Sequence, residues 1–147
     1  MFTKILIPTD GSKLSAKAIK SGVAFAKSIA AQVVGCYVIE PYQPYYLGDY
    51  IPQDMPSPKE YERRARDAGE QHLKQIAAAA QAAGLKYQGT VLSADAPYEG
   101  IISAAKKARC DLIFMASHGR RGLSGILLGS ETHKVLTHSK IPVLVYR

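Results

Sequence analysis

The 147 residues contain no apolar run near the ~18 that a membrane-spanning helix needs, so no spanning helix is expected. A secretory leader is not expected either. Met1-Phe2-Thr3-Lys4-Ile5 runs straight into a strand-like segment, with no basic start, long apolar stretch or small-residue cleavage site, and a cytoplasmic protein is expected. Cysteine is scarce: Cys36 and Cys110 form no CxxC pair, and no Cys/His cluster has zinc-finger spacing. Both read as small buried or half-buried thiols. Several motifs of phosphate chemistry and catalysis are also absent. Without GxxxxGK[ST] the chain is not a P-loop ATPase. Its glycines after position 118 read G-x-x-G-x-x-G, not the dinucleotide G-x-G-x-x-G. Ile126 stands where a nucleophile elbow needs glycine. His133 and His138 are five apart, too far round a helix for an i,i+4 zinc pair, and His72 reads as a half-buried surface histidine.

What is present is ordinary globular composition, 47% apolar and 21% charged, in a length that suits one domain over 1–147. The net charge of +7 favours anionic partners. The basic residues are scattered, however. The densest group, Arg63, Arg64 and Arg66, is interleaved with Glu60, Glu62 and Asp67, as in a solvated helix face with pairs Glu60–Arg64 and Glu62–Arg66. No recognition helix, RNA-binding aromatic motif or basic tail appears, so nucleic acid is not an expected partner.

The pattern alternates strand and helix. Residues 4–8 are a short apolar run, suited to a strand buried on both faces. Ser12 caps a helix to about residue 31, with Leu14, Ala18, Ile19, Val23, Ala26 and Ala30 inward. Residues 32–40 form a second strand. Ser57-Pro58-Lys59-Glu60 is a capping box with proline at the first helical position, opening a long helix that stops before Gly84. Residues 85–93 alternate as a less buried strand. Asp95 and Pro97 start a third helix that turns Ile101, Ile102 and Ala105 inward. Residues 111–116 are a fourth strand, and a glycine-rich stretch leads to a helix over 130–138. Residues 142–146 are the last strand. Five such strands separated by helices predict a doubly wound α/β fold. Its parallel sheet takes the order 3-2-1-4-5, with helices on both faces. Ligands of such sheets sit beyond the strand carboxyl ends, where the winding reverses, here between strands one and four.

Both of those strands are followed by unusual residues. Pro8-Thr9-Asp10-Gly11-Ser12 places a carboxylate at a strand end, where it can accept from a base amine or ribose hydroxyl, or order the turn into the helix. After strand four, four glycines (119, 122, 125, 129) lead to a helix start at Ser130. Such a stretch brings backbone amides and a helix dipole to a phosphate, and His118, Arg120 and Arg121 can add charge. The alternative is a surface loop with a serine cap.

On these residues the chain resembles the universal stress protein family, in the subgroup that binds ATP. The likeness spans Ile5–Asp10, Tyr37-Val38-Ile39-Glu40 and Met115–Ser130. Members carry G-x-x-G-x9-G-[ST]; here Ala116 replaces the first glycine, Gly119 the second, and Gly129-Ser130 close the motif. The resemblance implies a Rossmann-like fold of the adenine-nucleotide alpha-hydrolase type. It implies Pro8, Thr9 and Asp10 at adenine and ribose, Val38 meeting adenine through its backbone, and Met115 packing nearby. Ala116, His118 and Gly119 would line the ribose and phosphate path. Gly129, Ser130, Glu131 and Thr132 would surround the phosphates of ATP, which would carry Mg²⁺, with no metal held by the protein alone. The carboxylate of Glu131 would repel a triphosphate unless it points away or helps to hold Mg²⁺.

Three functions compete: a nucleotide-binding stress-response regulator, a slow ATP hydrolase or nucleotidyl transferase, and an interaction module without nucleotide. No second carboxylate accompanies the glycine-rich loop, which argues against efficient phosphoryl transfer. A homodimer is expected through Pro142, Val143, Leu144, Val145 and Tyr146, an apolar edge strand with no charge before Arg147. The alternative is an edge covered within the monomer. Residues 41–56, rich in tyrosine and proline, are expected to be a long mobile loop near the ligand and a docking surface for partners, or else a packed cover over helix ends.

Overall fold

The computed structural model describes residues 1–43, 54–119 and 128–147. Five strands and four helices alternate through them: β1 (Lys4–Pro8), α1 (Lys13–Ser28), β2 (Gln32–Ile39), α2 (Pro58–Ala82), β3 (Tyr87–Ser93), α3 (Pro97–Lys107), β4 (Leu112–Ala116), α4 (Ser130–His138) and β5 (Val143–Tyr146). The sheet is parallel throughout, in the expected order β3-β2-β1-β4-β5.

Ile5, Leu6 and Ile7 are each 0% exposed, which is what a central strand buried on both faces requires. Strand alternation splits the core. Ile5, Ile7, Val33, Tyr37, Leu112 and Phe114 face α1 and α2. Leu6, Val34, Cys36, Ile113 and Met115 face α3 and α4. Both cysteines are buried and unpaired. Burial pushes the Cys36 thiol up to about 12 and that of Cys110 to about 11, so neither is a ready nucleophile.

The expected ion pairs of α2 form, Arg64 with Glu60 and Arg66 with Glu62, joined by Arg63 with Asp67. Ser57 caps α2 as expected, accepting from Glu60 N–H at 3.2 Å. α1 is shorter than expected. It ends at Ser28, and Ala30 is exposed rather than inward. The chain turns there through a left-handed residue, Ala30 at φ 55°, so that Ala31 N–H reaches Ala26 C=O at 2.9 Å. Glycine marks the same turn at Gly84 (φ 73°), whereas Arg109 (φ 57°) makes it without glycine. α3 starts one residue later than Asp95 would cap: its N-cap is Ala96, which has no side-chain acceptor.

At the amino end of the sheet Asp111 staples β1 to β4. Its carboxylate accepts from Thr3 N–H (2.8 Å), Thr3 Oγ1 (2.7 Å) and Lys4 N–H (2.9 Å). No described helix is long and apolar enough to cross a membrane.

Candidate functional site

The carboxyl end of the sheet forks. β1 and β4 pair only at Ile5–Leu112 and Leu6–Ile113. Beyond that, β1 stays with β2 as far as Pro8–Cys36, and Thr9 N–H donates to Cys36 C=O at 2.9 Å. β4 stays with β5 as far as Ala116–Tyr146, and Ser117 N–H donates to Tyr146 C=O at 2.7 Å. The opening between the two halves is where the winding reverses.

One wall comes from β2 and β1. Successive residues of a parallel strand address their two neighbours in turn. Cys36 C=O faces β1, and Ile39 C=O accepts from Ala94 N–H at 3.1 Å on the β3 side. Val38 therefore directs its N–H and C=O toward β1, past the last β1–β2 bond at Thr9. Its side chain is spent on packing, since a Cβ on Gly100 of α3 would come within 2.7 Å of both Val38 methyls. Pro8 is half-buried, and Thr9 is buried with its hydroxyl 2.6 Å from Ser15 Oγ and accepting from Gly11 N–H at 3.2 Å. Asp10 orders the turn: Oδ1 accepts from Ser12 N–H at 3.0 Å. Its other oxygen, Oδ2, crosses the fork and lies so close to Gly119 that a Cβ there would overlap it. Behind this turn, the His72 ring lies over Gly11 (φ 78°) and stacks on Tyr37 with centroids 5.3 Å apart.

The other wall comes from β4 and α4. Met115 is buried toward α3 and α4, and Ala116 is half-buried. Ser117 is 0% exposed, and its hydroxyl meets His118 Nδ1 at 2.9 Å. α4 is set directly over this strand end by two bonds, Thr132 Oγ1 to Ala116 C=O (3.0 Å) and Gly129 N–H to Ser117 C=O (2.7 Å). A Cβ on Gly129 would stand 3.0 Å from His118 Cα, so a side chain there would press on the backbone of the strand end. Ser130 is the first residue of α4 rather than its cap. The N-cap is Gly129, with no side-chain bond to the first turn.

The Gly129 N–H and the Thr132 hydroxyl, both expected beside phosphates, thus have partners within the chain. Glu131 turns aside: Oε2 accepts from Tyr98 N–H at 2.9 Å, and Oε1 pairs with Lys134 Nζ at 2.9 Å. That bond and charge hold the Lys134 ammonium above its ordinary pKa. Arg120 lies outside the described residues, as does Arg121. Ser117, Tyr98 and Lys134 were not singled out from sequence. Tyr98 and Glu131 are 33 positions apart, and no local period joins them. Among the described residues no three His, Cys, Asp or Glu are grouped as metal ligands.

β5 lies at a sheet edge, with Pro142 exposed and Val143, Leu144, Val145 and Tyr146 half-buried. Residues 44–53 of the long loop lie outside the described residues, so its expected mobility does too. Its two feet are tied: Tyr42 OH donates to Pro56 C=O at 2.9 Å, and the Tyr42 and Tyr61 rings are 5.3 Å apart.

The family model of the universal stress protein family matches residues 1–147. The chain is 32% identical over 150 residues to universal stress protein MJ0531 of Methanocaldococcus jannaschii, covering 100% of this chain and 83% of that one. The solved structure of MJ0577, from the same organism, superposes with a TM-score of 0.82 at 30% identity, covering 99% of this chain and 95% of the other. A universal stress protein in complex with cAMP shares the fold, with a TM-score of 0.73 at 20% identity and coverage of 99% and 97%.

Proposed function

The chain belongs to the universal stress protein family, and from that premise we propose that it is a regulatory, stress-response protein that binds ATP with Mg²⁺ in the β1–β4 fork and acts as a homodimer. The carrying observation is the fork itself. Into one opening come the Val38 N–H and C=O, past the last described β1–β2 bond, the Asp10 carboxylate, and the start of α4, which has no side-chain cap among the described residues. An adenine edge needs one donor and one acceptor side by side, and Val38 offers both from one backbone residue. Asp10 Oδ2 suits a ribose hydroxyl. Met115 supplies apolar contact. Ala116, His118 and Gly119 form the floor between sugar and phosphates. The amides of Ser130 and Glu131, at the positive end of α4, suit the phosphates. Gly129 keeps this helix start close to the strand end. Mg²⁺ would be held chiefly by the phosphates. That a protein of this fold is seen with cAMP supports the ligand class. β5 offers the dimer surface, because its outer edge has no strand beside it in the sheet.

The test is release of nucleotide from the heat-denatured purified protein, with ATP-dependent thermal stability measured alongside. ATP at ~100 times its dissociation constant should add about 2.7 kcal/mol. Asp10→Ala should weaken adenosine and ATP alike, since its contact is at the nucleoside end. No copurified nucleotide and no thermal shift at millimolar ATP would refute the binding. Turnover at the ~1–100 s⁻¹ typical of kinases would refute the regulatory reading in favour of an enzyme. Light scattering should give twice the 15.9 kDa chain mass, and a monomer at micromolar concentration would defeat the dimer.

A further inference from the structure

A glutamate in the first turn of an uncapped helix has an obvious resting place, folded back over its own helix start, where the dipole attracts it. In α4 that place is the one proposed for the phosphates. Glu131 does not take it. Its carboxylate is drawn sideways to the start of α3, whose N-cap Ala96 has no acceptor to give, and there it accepts from Tyr98 N–H at 2.9 Å. Lys134, three residues on, neutralises the other oxygen at 2.9 Å. Lys134 is positioned in turn by Tyr98, whose ring centroid is 5.5 Å from its Nζ. The Glu131 side chain is 32% exposed, so it is free enough to swing if released.

We infer that Lys134 and Tyr98 hold back the Glu131 carboxylate, and that this holdback determines how many phosphates the crevice accepts. The inference rests on the nucleotide reading above. With Lys134 in place the carboxylate is neutralised and turned away, and the α4 start is open to a polyanion. Without Lys134 the carboxylate is freed on one side and competes with the ligand for the same amides. Lys134 acts through Glu131, as a positioning residue.

The experiment is a cycle of Lys134→Met, which keeps an apolar stem, with Glu131→Gln, measuring ATP, AMP and adenosine by calorimetry. Lys134→Met should weaken ATP about five- to tenfold and AMP less, and leave adenosine within about twofold. Adding Glu131→Gln should bring ATP back to within about twofold of the unsubstituted chain. If ATP binding is unchanged in Lys134→Met, the holdback is wrong. If the loss persists in the double variant, Lys134 attracts phosphate directly and the holdback is again wrong. If adenosine falls in step with ATP, the contact is only structural. An unsubstituted chain that binds adenosine but not ATP overturns the holdback alone, and one that binds neither overturns the nucleotide reading with it.

Discussion

Gly119→Ala probes the contact that closes the fork, and the structure fixes what it should do. Gly119 is exposed and outside the left-handed region, so the substitution brings no backbone strain. Among the described residues the added methyl meets the Asp10 carboxylate, overlapping Oδ2 and standing 3.3 Å from Cγ. That carboxylate cannot swing away freely, because Oδ1 holds Ser12 N–H at 3.0 Å and so fixes the start of α1. To make room, Oδ2 must withdraw by about an ångström to reach ordinary contact at ~3.5 Å. The Ser12 bond then lengthens or breaks. A hydrogen bond to a charged group contributes about 1.5–3 kcal/mol, and this half-exposed one sits at the low end, so Gly119→Ala should destabilise by about 1–2 kcal/mol. In a chain of this size that lowers Tm by roughly 3–6 °C. The decisive measurement is a double-mutant cycle in urea with Asp10→Ala, which removes the obstacle. In that background Gly119→Ala should have little effect, leaving a coupling of about 1–2 kcal/mol. Two results would refute the reasoning: a neutral Gly119→Ala, or an effect that survives undiminished without the Asp10 carboxylate.

Two further predictions concern the frame that carries the site. Burial raises the pKa of Asp111, but its bonds from Lys4 N–H, the Thr3 hydroxyl and Thr3 N–H outweigh that and hold it below the ordinary 3.8. Its folded pKa being depressed, its contribution is complete above the unfolded value and is lost as pH falls below 3.8 through the folded one. Asp111→Asn should therefore be less stable by about 1–2 kcal/mol at pH 6 in urea unfolding, with the gap closing toward pH 3, and a gap independent of pH would count against the staple. Ala30→Gly relieves a left-handed alanine of roughly 1–2 kcal/mol of strain and gives back roughly 0.5–1 kcal/mol in unfolded-chain entropy. A rise in Tm of about 2 °C is expected by calorimetry, and a fall would show that φ 55° is not strained at this position.

The frame was legible because its signals are local. β1 reads as the apolar run 4–8, and α2 is bracketed by Ser57-Pro58 and Gly84. The pairs Glu60–Arg64 and Glu62–Arg66 follow from spacing alone. The end of α1 was missed because an alanine does the work of a glycine, and the reason is tertiary: the turn must deliver Ala31, 1% exposed, into the core ahead of β2. At the site, sequence pointed to the strand ends but not to which group of each residue remains for a ligand. Gly129 N–H, the Thr132 hydroxyl and the Glu131 carboxylate are bonded to partners 12, 16 and 33 positions away.

A signal for the site does lie in the sequence, in the helix caps. Among the described helices, α1 and α2 begin behind Ser12 and Ser57, whose hydroxyls accept from the first turn. α3 and α4 begin behind Ala96 and Gly129, which cannot. A helix start left without a cap costs about 0.5–2 kcal/mol unless something else meets its amides. The two helices with serine caps pack on the face opposite to α3 and α4. The two without them meet at the fork. Glu131 satisfies one of those starts from the other, by bonding Tyr98 N–H. Among the described residues the start of α4 then remains without a side-chain acceptor, above the place where β1 and β4 separate. A phosphate there would supply the missing cap. On this argument ligand binding should stabilise α4 most, and hydrogen exchange of Ser130–Thr132 amides should slow with ATP more than with adenosine. Equal slowing by both would place the phosphates elsewhere.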